Sequence, residues 1–254
     1  MTRRPLADFV DFLWLSSGYS QPHGAERVLP TGSMSLVLSL DDQGQIGDVV
    51  SGARTVSFVL DTSRPLNLLG VHFKPGCGFA FFALPAGELQ DLAVSLEAVW
   101  GRRAQILREQ LLEAASPETQ FHIVERALGE CLRRGPVRHP AVRYAIKALQ
   151  NPNQVTSVAS LVEQSGLTAR RFIAAFRDEV GLAPKTFSRL ARFRRVIRTL
   201  PSGSNIDWPA IAMACDYFDQ AHFIHDFRAF SGIRPSDYVR YRTASPNHIR
   251  IPEW

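Results

Sequence analysis

The sequence of 254 residues contains few cysteines and no long apolar run. Cys77, Cys131 and Cys215 are far apart and form no Cys-x-x-Cys pair, which argues against a disulfide framework and against a cysteine zinc site. No apolar stretch approaches the ~20 residues of a membrane-spanning helix. Asp8 and Asp11 interrupt what would otherwise be a signal-peptide core. We therefore expect a cytoplasmic protein that makes no contact with a membrane.

Positive charge is concentrated in the second half of the chain. Residues 1–138 hold 13 Lys and Arg against 15 Asp and Glu, net −2, which leaves 16 against 9, net +7, for residues 139–254. A basic surface attracts polyanions such as nucleic acids. Many basic domains bind no nucleic acid, so the charge gains meaning only together with a binding motif.

The first half has the pattern of a small β unit followed by helices. Apolar residues alternate along 34–40, residues 41–44 signal a turn, and segments 54–60 and 66–73 are rich in strand-forming residues. Helical spacing follows over 104–133 and is divided at Ser116-Pro117. Residues 133–140 contain two prolines and a glycine, typical of a linker. These patterns predict an N-terminal domain at 1–134 and an all-helical C-terminal domain at 139–254.

The C-terminal half contains an internal duplication. Segments 161–187 and 211–238 match at a constant offset of 51 after one extra residue in the second turn. The offset pairs Phe172 with Phe223, Phe176 with Phe227, Arg177 with Arg228, Gly181 with Gly232, Leu182 with Ile233, Pro184 with Pro235 and Phe187 with Tyr238. Thr168 and Asp219 are candidate N-caps of the second helix in each unit, and the two glycines are candidate C-caps. This pattern predicts two helix-turn-helix units, with recognition helices at about 168–180 and 219–230.

One stripe of each recognition helix is predicted to face DNA. The phenylalanines at i and i+4 are expected in the core, so the opposite stripe is exposed, and its isoleucines would suit thymine methyl groups. The predicted DNA-binding residues are Ala169, Arg170, Arg171, Ile173, Ala174, Arg177, Gln220, Ala221, His222, Ile224, His225, Arg228, Arg192 and Arg195. We hypothesise that Arg170 and His225 contact base edges while Arg177, Arg228 and Arg192 contact phosphates.

A linking helix is predicted over 184–200, ended by Pro201. At ~1.5 Å per residue it would be roughly 25 Å long. Such a spacer could hold two recognition helices about one duplex turn, ~34 Å, apart. Its polar face carries arginines that suit phosphates: Arg189, Arg192, Arg194, Arg195 and Arg198.

Over about residues 139–242 the chain resembles the AraC/XylS family of bacterial transcription regulators. The family pattern I-A-x-x-x-G-F-x-[DE]-x-x-x-F, with a closing F-x-x-x-x-G-x-x-P-x-x-[YF], matches Ile211, Ala212, Phe223, Phe227, Gly232, Pro235 and Tyr238, and Asp219, Gln220 and His222 also fit. The turn glycine and phenylalanine of the pattern are Asp216 and Tyr217 here. Ala174 and His225 stand where relatives often have arginine.

The resemblance implies a sequence-specific DNA-binding transcription factor. The segments RVLPTGSMSLVLSL and LLGVHFKPG resemble the family's sensor domain. They imply a cupin-like small β-barrel with flanking helices that holds an effector or forms a dimer contact. The fold expected for the chain is α+β multidomain, and double-stranded DNA is the expected partner. A small-molecule effector, RNA polymerase and a second copy of the chain, held through the N-terminal domain and helices 104–133, are further candidates.

Three other functions fit parts of the sequence. A cupin-type enzyme would need clustered metal ligands, but the β region offers only His23 and His72, widely spaced. A methyl-accepting repair protein could use Cys77, which lacks a partnering base. A ligand-binding or interaction module with degenerate DNA binding would fit Ala174 and His225. We expect neither an enzyme nor a cofactor or metal.

Overall fold

The structure is a computed structural model that describes residues 6–41, 46–132, 138–151, 156–201 and 206–252. Its N-terminal half combines antiparallel strands with helices that mostly follow them, and its C-terminal half consists mainly of helices, as predicted. The strands are β1 (Val10–Tyr19), β2 (Ala25–Val28), β3 (Ser35–Ser39), β4 (Val49–Ser51), β5 (Phe58–Asp61), β6 (Leu66–Phe73), β7 (Ala93–Ser95) and β8 (His248–Arg250).

A five-stranded antiparallel sheet has the order β1-β6-β3-β4-β7. Strand β6 has the bounds that the sequence predicted and is buried along most of its length, because β1 and β3 pair with its two edges. The alternation within 34–40 is confirmed by β3, where Leu36 and Leu38 are fully buried. Most of the predicted turn at 41–44 lies outside the described residues.

Strand β1 was not predicted from the sequence. It lies at one edge of the sheet, and its pairing with β6 shifts between Val10 and Phe12 and again between Ser16 and Tyr19. These irregularities break the two-residue period that marks a half-buried strand.

The second sheet, of order β5-β2-β8, joins the two ends of the chain. Strand β8 belongs to the half that was predicted to be all-helical, yet it pairs antiparallel with β2. The three residues of β8 are too few to show a strand period in the sequence. They form a strand because they pair with the edge of β2, which is far away along the chain. The predicted strand at 54–60 is wrong at 54–57, since β5 begins only at Phe58.

The helices agree closely with the predicted segments. In the N-terminal half they are α1 (Phe79–Phe82), α2 (Leu96–Trp100), α3 (Arg102–Glu113) and α4 (Pro117–Leu132), with a 3-10 turn at Ala86–Leu89. In the C-terminal half they are α5 (Pro140–Gln150), α6 (Val158–Ser165), α7 (Ala169–Val180), α8 (Pro184–Thr199), α9 (Trp208–Ala214), α10 (Gln220–Ser231) and α11 (Pro235–Tyr241). Helices α3 and α4 confirm the predicted division at Ser116-Pro117, and α8 is the predicted linking helix.

Two apolar cores hold the molecule together. The first lies within the N-terminal half, between the five-stranded sheet and helices α1 to α4. The second packs the C-terminal helices, but it also contains Leu29 and Ala53 from the N-terminal half and Ile249 of β8. The division into domains at 1–134 and 139–254 stays a prediction, and residues 133–137 of the predicted linker lie outside the described ranges. Within those ranges, none of the helices combines the length and apolarity needed to cross a membrane.

Candidate nucleic-acid interface

The first helix-turn-helix unit consists of α6, a turn at Gly166 and α7. Gly166 has a φ of 67° at the end of α6. The Thr168 hydroxyl accepts a hydrogen bond from the backbone N–H of Arg171 at 3.4 Å, so Thr168 is the N-cap of α7. Gly181 ends α7 with a φ of 87°, a left-handed conformation in which a side chain would be strained. The predicted caps of this unit are confirmed.

The second unit consists of α9, a longer turn and α10. The turn contains Asp216 with a φ of 60°, a conformation that aspartate tolerates and that relatives reach with glycine. The Asp219 carboxylate accepts a hydrogen bond from the backbone N–H of His222 at 2.7 Å and caps α10. Gly232 ends the helix with a φ of 75°. The departures from the family pattern therefore leave the local fold intact.

The phenylalanines of both units form the core, as predicted. Phe172 and Phe176 of α7 and Phe223 and Phe227 of α10 are all fully buried. Phe176 packs against Phe187 of α8 with ring centroids 5.6 Å apart, and Phe227 packs against Phe193 of the same helix at 5.2 Å. Both recognition helices are therefore anchored on α8 through their buried faces.

The opposite face of α7 is open to solvent. All six predicted residues of this helix are exposed: Ala169, Arg170, Arg171, Ile173, Ala174 and Arg177. Ile173 has 42% of its surface exposed, which is unusual for isoleucine on a face that meets only water. Arg177 lies at the far end of the stripe, where its stem packs on the 3-10 turn. A Cβ on Gly87 would lie 2.8 Å from Arg177 Cγ.

The stripe on α10 is less open than predicted. Gln220, Ala221, His225 and Arg228 are exposed, but His222 and Ile224 are half-buried. Ile224 packs against the C-terminal core, so the expected exposure of an isoleucine at this position is wrong for the second unit. The His222 ring packs edge-on against Tyr217 at 5.3 Å between ring centroids, because the longer turn folds back over the start of α10.

Three arginines of α8 contact Asp216 or Asp226 of the second unit. Arg189 donates two hydrogen bonds to one carboxylate oxygen of Asp226, at 3.1 and 2.7 Å, and these bonds raise the pKa of the Arg189 guanidinium. Arg192 donates to the Asp216 carbonyl oxygen at 3.1 Å, and Arg195 donates to the Asp216 carboxylate at 2.5 Å. That Arg192 and Arg195 contact phosphates stays a prediction. It now requires each side chain to keep its bond to Asp216 while it also contacts DNA.

Arg194 differs from the other arginines of α8. It donates a hydrogen bond to the carbonyl oxygen of Thr31 in the N-terminal half, at 2.7 Å. Burial and the nearby Arg198 lower the pKa of this guanidinium. The expectation that Arg194 belongs to a phosphate-facing surface is therefore wrong, because its side chain joins the two halves of the chain.

A cleft of about 760 Å³ lies between the two units. It is lined by the C-terminal end of α5, the start of α6, one face of α8 and two histidines of α10. Its cationic side chains are Lys185, Arg189, Arg192 and Arg195, and its carboxylates are Asp216 and Asp226. Positive charge therefore faces the space bounded by α6, α8 and α10.

A family model described as a helix-turn-helix domain matches residues 161–241, from within α6 to the end of α11. Residues 161–241 form an AraC-type helix-turn-helix domain. The chain is accordingly a DNA-binding transcription regulator, as the family resemblance implied. A second model, described as a domain of unknown function (DUF6597), matches residues 2–95. No curated protein matches the chain.

Among solved structures, the chain is similar to ToxT from Vibrio cholerae. One ToxT structure at 1.65 Å resolution is 11% identical, with 94% of this chain and 95% of that chain covered and a TM-score of 0.42. A second ToxT structure, bound to (E)-4-(8-methylnaphthalen-1-yl)but-3-enoic acid, is 9% identical, with 94% and 96% covered and a TM-score of 0.43.

The AraC-type domain also exposes residues that the sequence did not single out. Phe218, the extra residue of the second turn, is 92% exposed immediately before the N-cap of α10. Met213 of α9 is 75% exposed nearby in sequence. Single exposed apolar side chains are common on protein surfaces, but Phe218 is distinguished by its place at the start of a recognition helix. The signal in the sequence was the extra residue itself, which interrupts the match between the two units.

A buried carboxyl in α7 was also missed. Glu179 is 7% exposed, and one of its oxygens accepts a hydrogen bond from the backbone N–H of His139 at 2.6 Å. Its second oxygen is buried and has no hydrogen-bond partner among the residues that the structure describes. Burial raises the pKa of Glu179 from 4.5 to about 7.

The candidate reactive residues of the N-terminal half lie in separate places. His72 is hydrogen-bonded to the Ser35 hydroxyl at 2.9 Å, and burial lowers its pKa to about 4. His23 contacts the Glu26 carboxylate at 3.2 Å instead. Cys77 is buried, and burial raises the pKa of its thiol, which disfavours the nucleophilic thiolate. In the described parts of the chain, His, Cys, Asp and Glu form no group of three or more that could hold a metal ion.

Proposed function

We propose that one chain binds DNA with α7 and α10 in successive major grooves on one face of the duplex, and that it acts by binding rather than by catalysis. The observation that carries this proposal is the pair of equivalent, capped recognition helices whose buried faces are both fixed to α8. Two helices held on one spacer can present their outer stripes in a fixed geometry. Half-sites one turn apart match such a geometry.

The exposed stripes supply the chemistry for reading bases. Arg170 is exposed near the N-terminus of α7, the end of a recognition helix that contacts base edges in the major groove. Its guanidinium can donate two hydrogen bonds to guanine. Ile173 can contact a thymine methyl group. On α10 the exposed Gln220 and His225 can donate to or accept from base edges.

The remaining basic residues would contact phosphates. Arg177 and Arg228 occupy equivalent exposed positions one turn before the C-caps. The cationic cleft lies between the units, where we place the duplex backbone between the two grooves. Contacts to phosphates contribute salt-dependent affinity with little sequence preference.

We further propose that the N-terminal half, residues 1–134, regulates this binding in response to a small-molecule effector or a protein partner. The support is its contact with the DNA-binding half through the shared core, β8 and the ends of α7 and α10. RNA polymerase and a second copy of the chain are further proposed partners. For the copy we favour α3, where Ile106 and Leu112 are 43% and 40% exposed.

The test is selection of preferred sites from random duplex DNA by the full-length chain at two salt concentrations. We expect an enriched motif with two half-sites about one turn apart. A motif with a single half-site would restrict base reading to one unit. Weak binding without enrichment and without salt dependence would instead favour an interaction module whose helix-turn-helix units no longer read DNA.

A further inference from the structure

The ends of both recognition helices contact one short stretch of the N-terminal half, residues 53–57, which we call the bridging segment. We propose that the bridging segment is a positioning element that fixes α7 relative to α10 and so sets the half-site spacing the protein accepts. The inference rests on the proposed two-groove binding for its DNA consequence. Its structural part, a fixed geometry between the helices, can be tested without DNA.

At one end, Ser57 caps α10. Its backbone N–H donates to the Phe230 carbonyl oxygen at 3.0 Å, and its hydroxyl donates to the Ser231 carbonyl oxygen at 2.9 Å. Carbonyls in the last turn of a helix have no partner within the helix, so these bonds satisfy two of them. Arg27 of β2 donates to the Ser57 hydroxyl at 3.1 Å and holds it in place. The contact therefore fixes the C-terminal end of α10 to the N-terminal half.

At the other end, Ala53 meets the C-terminal end of α7. Ala53 is fully buried within the core of the C-terminal helices. A Cβ on Gly181 would lie 3.2 Å from Ala53 Cβ and 3.2 Å from the Ala86 carbonyl oxygen. The 3-10 turn at Ala86–Leu89 thus packs beside Ala53 on the same helix end. This contact is apolar and close-packed, whereas the contact at α10 consists of hydrogen bonds.

The bridging segment is itself held rigidly. Asp91, which has a φ of 59°, accepts hydrogen bonds from the backbone N–H of Thr55 at 2.5 Å and from the Thr55 hydroxyl at 2.7 Å. The Asp91 backbone N–H donates to the Ala53 carbonyl oxygen at 3.2 Å. Both the start and the middle of the segment are therefore tied to a single residue. This extra bonding explains why 54–57 is not part of β5.

Because the bridging segment is short, a small change in the tilt of either recognition helix would change the distance between their DNA-reading ends. Four residue steps span at most ~14 Å, so the two C-caps are held within a short, fixed reach. Each recognition helix has 12 residues, or ~18 Å, beyond its cap. A tilt of ~15° about the capped end would move the DNA-reading end by ~5 Å. That displacement exceeds the ~3.4 Å rise of one base pair.

The experiment compares full-length wild type with the double variant Arg27→Ala, Ser57→Ala. The matched control is Ser63→Ala, Arg64→Ala, which removes an exposed serine and arginine just after β5, where the Ser63 hydroxyl donates to the neighbouring Asp61 carboxylate. Spin labels at Asp178→Cys and Ala229→Cys, exposed equivalents on α7 and α10, report the distance between the helices. The native cysteines are buried. We expect the distance distribution to broaden in the Arg27, Ser57 variant and to stay narrow in the control.

The DNA arm uses the selected duplex, the same duplex with one base pair inserted between half-sites, and a single half-site. Wild type should lose at least about tenfold in affinity on the lengthened duplex, because both units can no longer bind together. The Arg27, Ser57 variant should lose much of this discrimination while retaining its affinity for the single half-site. If the double variant does not fold, Ser57→Ala alone is judged by the same two readouts.

An unchanged distance distribution together with unchanged spacer discrimination would overturn the inference. A wild type that shows no spacing preference, beside a variant with a broadened distribution, would refute two-groove binding and leave the bridging role supported. The two failures are thus distinguishable.

Discussion

The two helix-turn-helix units share a backbone plan but are stabilised differently. Ala175 of α7 and Asp226 of α10 are equivalent at the offset of 51, yet Asp226 is a buried carboxylate bonded to Arg189. The first unit meets α8 mainly through aromatic packing, whereas the second adds an ion pair. One fold can therefore keep its geometry while apolar packing is partly exchanged for charge.

The buried titratable groups differ in the same way. Glu179 of α7 corresponds to Phe230 of α10, which packs in the core against Phe193 at 5.3 Å between ring centroids. Among the described residues, the carboxyl of the first unit accepts one hydrogen bond, from the His139 N–H, and each of the two acids keeps one oxygen without a hydrogen-bond partner. Each unit thus carries one buried acid at a position where the other is apolar. Within the described ranges, the acid of the second unit has a cationic partner at hydrogen-bond distance and the acid of the first unit has none.

The largest effect should come from removing the acid of the second unit. Asp226→Ala would leave Arg189 without its carboxylate in a partly buried site, and we expect the free energy of unfolding to fall by about 3 kcal/mol. Chemical denaturation of the full-length chain measures this. Asp178→Ala, which removes an exposed carboxylate of α7, should change it by less than about 0.5 kcal/mol. If Asp226→Ala and Asp178→Ala lowered the free energy of unfolding equally, the ion pair between Arg189 and Asp226 would contribute no more to stability than an exposed carboxylate does.

Removing the acid of the first unit should have the opposite sign and should depend on pH. The pKa of Glu179 is about 7 in the folded chain, against 4.5 for an unperturbed glutamate such as that of the unfolded chain. Between pH 4.5 and 7 the folded state therefore binds more protons than the unfolded state. The free energy of unfolding therefore falls as pH rises from 4.5 to 7. Glu179→Gln keeps an oxygen for the His139 N–H but cannot ionise.

Each unit of pKa difference between the folded and unfolded states corresponds to ~1.4 kcal/mol. Glu179→Gln should therefore raise the free energy of unfolding by up to about 3 kcal/mol at pH 8. At pH 4.5 the gain should nearly vanish. Thermal unfolding at the two pH values measures the difference, with Glu163→Gln on the exposed face of α6 as the control. A gain of the same size at both pH values would contradict the assignment of the pKa to Glu179.

The units should also differ in how they read DNA. Arg170 of α7 corresponds to Ala221 of α10, so the first unit has the longer hydrogen-bonding side chain at this position. Arg170→Ala should weaken binding to the preferred site by about 1 to 3 kcal/mol and relax preference at one base pair. Binding titrations on single-base variants of the site test this. Equal losses on every duplex would assign Arg170 to a phosphate, and Arg240→Ala on α11 is the control.

The smallest effect should come from the extra residue of the second turn. Phe218 lies next to the DNA-reading end of α10, and we expect Phe218→Ala to cost about 1 kcal/mol of binding through lost contact with a thymine methyl group. Replacing that thymine with deoxyuridine should reproduce the loss in wild type and add nothing in the variant. Met213→Ala is the control. Additive losses would place Phe218 away from the methyl group.

Much of the C-terminal half could be predicted because its signals are local. Thr168, Asp219, Gly181 and Gly232 act within one turn of their own helices, so their spacing identified the units. The exposed α7 stripe followed from helical periodicity. The partial burial of Ile224 could not be predicted in this way, because it depends on how the longer second turn and the neighbouring helices pack.

The contacts between the halves could not be predicted for a related reason. Strand β8, the Arg194 bond to Thr31 and the bridging segment all join residues far apart in sequence. A strand of three residues or a single serine has no periodicity to reveal its partner. The protein partners of the α8 arginines were missed likewise, since a basic face has the same spacing whether it meets solvent, DNA or a carboxylate.

By itself, the sequence determined the helical periods, the caps and the duplication, and through them an AraC-type DNA-binding half. These features depend on interactions between residues a few positions apart, which spacing and residue type specify. Tertiary structure alone decided which basic side chains are exposed and which are paired, that two buried acids lie in inequivalent places, and that one segment of the N-terminal half meets the ends of both recognition helices. Those features depend on burial and on long-range partners, which exist only once the chain has folded.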